Sequence, residues 1–309
     1  MSVLRLEPVF KEYLWGGTKL VSEYNKQYRG KCLAESWELS CHKNGVNYIT
    51  NQEQKQRLES FFLENPGGLL GKHFENFQEF PILIKYIDAK QNLSIQVHPN
   101  DAYAMEHEQQ HGKTEMWYVL DCEEGAYLYY GFAKEVTKEE VRDRIEHNTL
   151  LEVLNKVYVQ KGDTYFIEAG TVHGIGQGIV VAEIQQNSDV TYRLYDYGRL
   201  DAEGRKRPLH IEKALDVLNL KSTEVQRGFR VEHLASCKYF NVDKYIIFDH
   251  YQGEVGENSF LSLLIIKGEG ILELGESSYT LKKGDSMLLT AESGRYQLEG
   301  RMEILCTQI

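Results

Sequence analysis

Apolar residues in this chain fall mostly in short runs, many with two-residue alternation, broken by Gly, Asn or Asp. That rhythm predicts many short strands rather than long helices. Ile82 to Ile87, Met116 to Leu120, Thr164 to Ile167 and Leu261 to Ile266 are the plainest examples. Helical spacing is confined to insertions. Thr137 and Glu140 have the spacing of a capping box, with Val136 and Val141 placed as the staple pair, which predicts a helix over Lys138 to Glu146. Ile211, Ala214, Leu215 and Leu218 share one face and predict a helix over Ile211 to Leu220, after Pro208. A third helix is predicted over Lys55 to Glu64, ahead of the break at Pro66-Gly67-Gly68. Strands at this density form a barrel or a sandwich.

An internal echo sharpens the architecture. Val159 to Ile167, through Lys161-Gly162-Asp163, returns about 120 residues later as Thr280 to Leu289, through Lys283-Gly284-Asp285. Both copies read as strand, tight turn, strand. The turn resembles the one that enters a strand in double-stranded β-helix (cupin) domains, which implies a mainly β fold of two cupin-like units with helical insertions. The expected division is 1–223 for a catalytic, metal-binding unit and 224–309 for a second unit without metal ligands. Ten residues after Asp163 stands His173, whereas Arg295 stands ten after Asp285. Chemistry is therefore expected in the first unit, and a structural or lid role in the second.

With 309 residues, the chain is long enough for two cores. Its 35 basic and 46 acidic residues leave a net charge of -11, which argues against an electrostatic grip on nucleic acid or anionic membrane. The start lacks the pattern of a secretory signal, and no run approaches a membrane span, so a cytoplasmic protein is expected. The five cysteines are scattered, without a Cys-x-x-Cys spacing, and read as reduced small hydrophobes.

Leu93 to Asp101 carries the clearest candidate chemistry. Leu93, Ile95 and Val97 alternate with Ser94, Gln96 and His98, so Gln96 and His98 point the same way from one strand. Glu115 opens the next strand, on the parity of Trp117 and Val119, and His173 follows the turn Glu168-Ala169-Gly170-Thr171. Two imidazoles and a carboxylate suit Zn²⁺, Fe²⁺ or Mn²⁺, with a fourth oxygen from Gln96 or water.

Further segments, in order over most of residues 8 to 220, resemble class I mannose-6-phosphate isomerases. They are Tyr13 to Gly17, Ala34 to Ser40, Phe80 to Lys85, Gln96 to Asp101, Lys113 to Trp117, Gly170 to His173 and Tyr192 to Asp196. The resemblance implies one zinc per chain, held by His98, Glu115 and His173 with Gln96 as a further ligand. It also implies a catalytic arginine at Arg193 and matches Lys113 to the lysine two residues before the metal-binding glutamate. The chain departs from longer relatives at Val97, where they have serine, and at Thr114, where they have proline. The implied reaction interconverts mannose 6-phosphate and fructose 6-phosphate through an enediol, on a small phosphosugar, by a monomer or homodimer. Another phosphosugar, a non-catalytic sugar-binding cupin and a metal-dependent oxygenase are the rival readings.

Such a reaction needs a base of pKa near working pH. Glu183, in the apolar run Val180 to Gln185, is the candidate, its pKa expected to rise on burial; Lys113 is the alternative proton carrier. Ser94, Lys113 and Arg193 are candidates for phosphate contact. No phosphate-binding glycine loop is present, so no nucleotide is expected. Trp15 and Trp37 read as core and turn elements, Tyr127 to Phe132 as a packed strand, and His107, His111, His147 and His210 as solvent-facing, His111 near the cavity mouth.

Overall fold

The two Lys-Gly-Asp segments form the same turn. Gly162 and Gly284 take φ of 94° and 95°, in the left-handed region that favours glycine. In each copy the aspartate carboxylate accepts from the backbone three residues earlier, Gln160 N at 2.7 Å and Lys282 N at 3.1 Å. Each aspartate also receives an arginine, Arg227 on Asp163 and Arg5 on Asp285. The echo is thus a structural repeat down to its ion pairs.

The computed structural model describes residues 3–52, 54–65, 68–200, 203–229 and 232–309. The first unit pairs two sheets. One has seven strands, in the order Arg227–Phe229, Asp163–Ile167, Glu115–Cys122, Ile179–Gln186, Ile82–Ala89, Glu35–Leu39 and Val9–Lys11. The other has five, in the order Leu154–Tyr158, Tyr127–Phe132, His173–Ile175, Ile95–Val97 and Tyr192–Tyr195. Their inner faces share a core of Trp117, Val119, Leu128, Tyr165, Ile175 and Val181. The second unit is a ten-stranded sheet built mostly from residues after 232, filled by Leu263, Ile265, Leu272, Met287, Leu298 and Ile304. A third cluster, with Ile84, Tyr86, Met116 and Ile184 from one side and Leu264, Leu288 and Leu305 from the other, joins the units. This is the mainly β, cupin-like architecture expected.

The chain crosses the expected division twice. Val3–Glu7 pairs antiparallel with Ser286–Leu289 of the second unit, and Arg227–Phe229 pairs with Asp163–Ile167 of the first. The two arginines of the repeated turn ride on these two strands.

Five α-helices are present among the described residues: α1 (Lys19–Glu23), α2 (Leu58–Glu64), α3 (Asp101–Glu108), α4 (Lys138–Glu146) and α5 (Ile211–Val217). α4 has the predicted bounds. Thr137 accepts from Glu140 N at 3.1 Å, but the Glu140 carboxylate turns to Lys134 and Arg144 instead of closing the box. Two predictions need correction. α5 ends at Val217 because Leu218 turns extended and Asn219 N bonds Gly170 O. α2 begins only at Leu58, since Gln56–Arg57 pairs with Tyr48–Ile49 as a strand; Pro66 and Gly67 of the expected break lie outside the described residues. The pattern did not predict α3, which starts directly after Val97-His98-Pro99. Asn100 caps it by accepting from Tyr103 N at 3.0 Å. Among the described residues no helix is long and apolar enough to cross a membrane.

Candidate metal centre and its cavity

Strand register builds the site. Within the five-stranded sheet His173 lies opposite Gln96, and Gln96 lies opposite Arg193, so three neighbouring strands present these side chains as one row. The seven-stranded sheet presents a second row, Trp117 opposite Glu183, Glu183 opposite Lys85 and Lys85 opposite Trp37. Glu115 stands two residues before Trp117, on the same face. The rows enclose a cavity of about 590 Å³, lined among others by Lys85, Gln96, Lys113, Glu183 and Arg193.

Beside Gln96 and Lys113 of its lining, ligand atoms of His98, Glu115 and His173 all lie within 4.8 Å of one another, and all three residues are buried. Each imidazole is held by a backbone carbonyl on its Nδ1, Val190 O for His98 and Thr171 O for His173, both at 2.8 Å. A carbonyl accepts only, so Nδ1 carries the proton and the Nε2 lone pairs face Glu115, 3.5 Å from His98 and 3.3 Å from His173. Burial keeps both rings neutral, His173 down to about 4 and His98 well below its ordinary value. Burial also pushes the Glu115 carboxyl up, against the pull of Lys113. Neither Glu115 oxygen accepts a well-formed hydrogen bond, although Lys113 Nζ stands 2.6 Å from Oε2. Two neutral Nε2 atoms around a buried carboxylate fit a divalent cation. The Gln96 amide lies 3.4 Å from His173 Nε2, beside the same point.

Glu183 is in the cavity as predicted, but its acidity is the reverse of the expectation. Burial would raise it; the ammonium groups of Lys113 at 3.7 Å and Lys85 at 2.9 Å, with the Trp117 indole N–H at 2.7 Å, outweigh burial and hold the carboxyl well below the usual range. Lys85 also faces Glu35 at 3.6 Å, and Glu35 accepts from Trp37 Nε1 at 2.7 Å. Alternating charges thus run along the row. Arg193 donates to Pro208 O at 3.0 Å, leaves its buried Nε unpartnered and has no ion pair among the described residues. Ser94 lines the cavity as well.

Trp15 and Trp37, expected as core and turn, are buried and line the cavity wall. His210 is not free in solvent: its Nδ1 accepts from Arg193 N at 3.1 Å. His111 is half-buried and pairs with Glu79 at 3.1 Å. Lys85, Glu35, Asp189 and Arg207 also line the cavity, and sequence reasoning missed them. The cross-strand partners that make Lys85 and Glu35 matter lie about 50 to 100 residues away, beyond any local pattern.

The sequence matches the family described as Phosphomannose isomerase type I, catalytic domain, over residues 3–128, and that described as Mannose-6-phosphate isomerase, cupin domain, over residues 230–309. Mannose-6-phosphate isomerase ManA of Bacillus subtilis is 40% identical, over 99% of this chain and 98% of its own. The crystal structure of a mannose 6-phosphate isomerase from Bacillus subtilis superimposes with a TM-score of 0.91 at 32% identity, covering 100% of both chains. A mannose 6-phosphate isomerase bound with zinc and yttrium shares the fold, with a TM-score of 0.74 at 18% identity over 99% of each chain. The chain belongs to the type I phosphomannose isomerase family.

Proposed function

We propose that this enzyme interconverts mannose 6-phosphate and fructose 6-phosphate, with one zinc ion per chain held by His98, Glu115, His173 and Gln96. The neutral Nε2 atoms converging on a buried carboxylate are the observation that carries the metal assignment. Bound there, a divalent cation supplies Lewis-acid stabilisation of negative charge on the sugar oxygens, typically worth several kcal/mol. Five basic side chains against three acidic ones line the cavity of a chain whose net charge is -11, which suits an anionic substrate. The cavity also falls within the range that encloses small ligands.

The residues divide the remaining work. Glu183, ionised at neutral pH, takes the proton from the carbon next to the carbonyl and returns it to the neighbouring carbon. Its lysine partners keep it charged but weaken it as a base, so transfer depends on Lys113 leaving it for the substrate's oxygens. Arg193, permanently cationic and without an acidic partner among the described residues, holds the phosphate or the same oxygens. Buried Trp15, Trp37 and Trp117 limit water at the reacting carbons. Five free cysteines suit a reducing compartment, and we place the enzyme in the cytoplasm.

The test is a coupled assay for fructose 6-phosphate formed from mannose 6-phosphate, on protein as purified, after chelation and after zinc is returned. Activity that disappears and returns with the metal supports both substrate and cofactor. A metal-loaded protein that turns over a different phosphosugar, or none, overturns the substrate assignment.

A further inference from the structure

Asp101 lies outside the cavity, yet it gathers the loop that carries Lys113. Its Oδ1 accepts from Gly112 N at 2.9 Å and from Gln186 Nε2 at 2.8 Å. Gln186 passes the restraint on, since its Oε1 accepts from Thr114 N at 2.8 Å and its own N donates to Thr114 O at 3.1 Å. Lys113 N, between these two anchors, donates to Pro99 O at 3.0 Å. The backbone of Lys113 is therefore fixed on the residue before it, on itself and on the residue after it. Gly112 must be glycine for this approach: a Cβ there would meet Asn100 C at 2.4 Å and Asp101 N at 2.5 Å, both backbone atoms.

The other oxygen of Asp101 faces the second unit. Oδ2 accepts from Tyr239 OH at 2.6 Å and Lys238 Nζ at 3.3 Å. Tyr239 packs against the cluster that joins the two units, so its hydroxyl is delivered from a fixed body. Lys238 is 70% exposed and adds little to a geometry that the hydroxyl already sets.

We infer that Asp101 is a positioning residue through which Tyr239 of the second unit holds Lys113 in place at the metal centre. The second unit, which contributes no cavity-lining residue among those described, thereby acts in catalysis as a clamp. The mechanism is geometric. Lys113 Nζ reaches Glu115 Oε2, His98 Nε2 at 3.1 Å and Glu183 from one backbone position, and a shift of that position changes all three contacts together.

The inference rests on the role proposed for Lys113, and its test separates the two. Tyr239→Phe removes the hydroxyl and keeps the ring; Asp101→Asn keeps the shape and removes the charge. In full-length, zinc-loaded protein both variants are expected to lower kcat about tenfold or more, the scale on which outer partners of a catalytic centre act, with KM and the thermal midpoint little changed. In a Lys113→Met background, Tyr239→Phe is expected to cost nothing further, because the effect passes through Lys113. Amide exchange reads the clamp without activity: the N–H groups of Gly112, Lys113 and Thr114 should exchange faster in Tyr239→Phe, while those of the distant strand Leu261–Leu274 keep their rates. If the wild type does not turn over mannose 6-phosphate, the function proposed above fails and the exchange result still decides this inference. Unchanged exchange at the three amides, or an acceleration spread evenly through the molecule, overturns it.

Discussion

Glu183 and Lys85 are both almost wholly buried and face each other across neighbouring strands at 2.9 Å. A buried charge without its partner is costly, so Lys85→Met should destabilise the protein by about 3–5 kcal/mol, read from denaturant midpoints at pH 7. A variant as stable as the wild type would show that Glu183 is satisfied by Lys113 and Trp117 alone. His42 gives a second prediction. It is buried beside Asp189 at 3.6 Å and Gln110 at 3.3 Å, and burial, against the pull of Asp189, lowers its pKa. The folded state therefore binds fewer protons than the unfolded chain below about pH 6.5, and stability falls as pH drops through that window. His42→Gln should flatten the fall by at most about 1.4 kcal/mol per pH unit, measured by denaturation from pH 7 to 5. Identical slopes in variant and wild type would remove His42 from the account. Of the site's residues, the shared facing of Gln96, His98 and Glu115 was legible, because alternation along Leu93 to Asp101 and the parity of Glu115 depend only on neighbours in sequence. The acidity of Glu183 was not, because its apolar neighbours in sequence are outvoted by lysines on other strands and beyond a turn.

Element ends follow the same division between local and distant causes. α4 was readable to the residue because its start is written in Thr137 and its apolar face in Val141 and Ile145, both buried. Thr137→Ala should cost about 1 kcal/mol, the usual worth of such a cap, seen as a small shift of the denaturation midpoint. A loss well above that would mean that the half-formed box, with Glu140 turned to Lys134 and Arg144, depends on Thr137 more broadly. α2 and α5 were both over-extended because strand pairing and a bond to Gly170 O, neither visible in periodicity, claimed their ends. α3 escaped notice for another reason: its face is weakly patterned, with Ala104 its one buried residue, so it is held by the Asn100 cap and the Asp101 contacts.

At the scale of the whole molecule, the repeat predicted two units but not how the chain closes them. Val3 and Leu4 are buried where Val3–Glu7 pairs with Ser286–Leu289, and Arg5 reaches Asp285 of the repeated turn. Burying such side chains is worth about 1.5–3 kcal/mol each, a large part of the roughly 5–15 kcal/mol that holds an ordinary domain together. Without them, Ser286–Leu289 would present a bare, apolar strand edge, which promotes association. Residues 224–309 made alone should therefore be poorly folded or aggregated. A peptide of residues 3–11 should restore cooperative unfolding and monomeric size, followed by circular dichroism and size-exclusion chromatography. The same peptide with Leu4→Asp should fail, since Leu4 is fully buried in the cluster between the units. A fragment that folds cooperatively as a monomer without the peptide would mean that the N-terminal strand only decorates a self-sufficient unit. The clamp on Asp101 would then have to rest on the contact between the two units rather than on their shared strands.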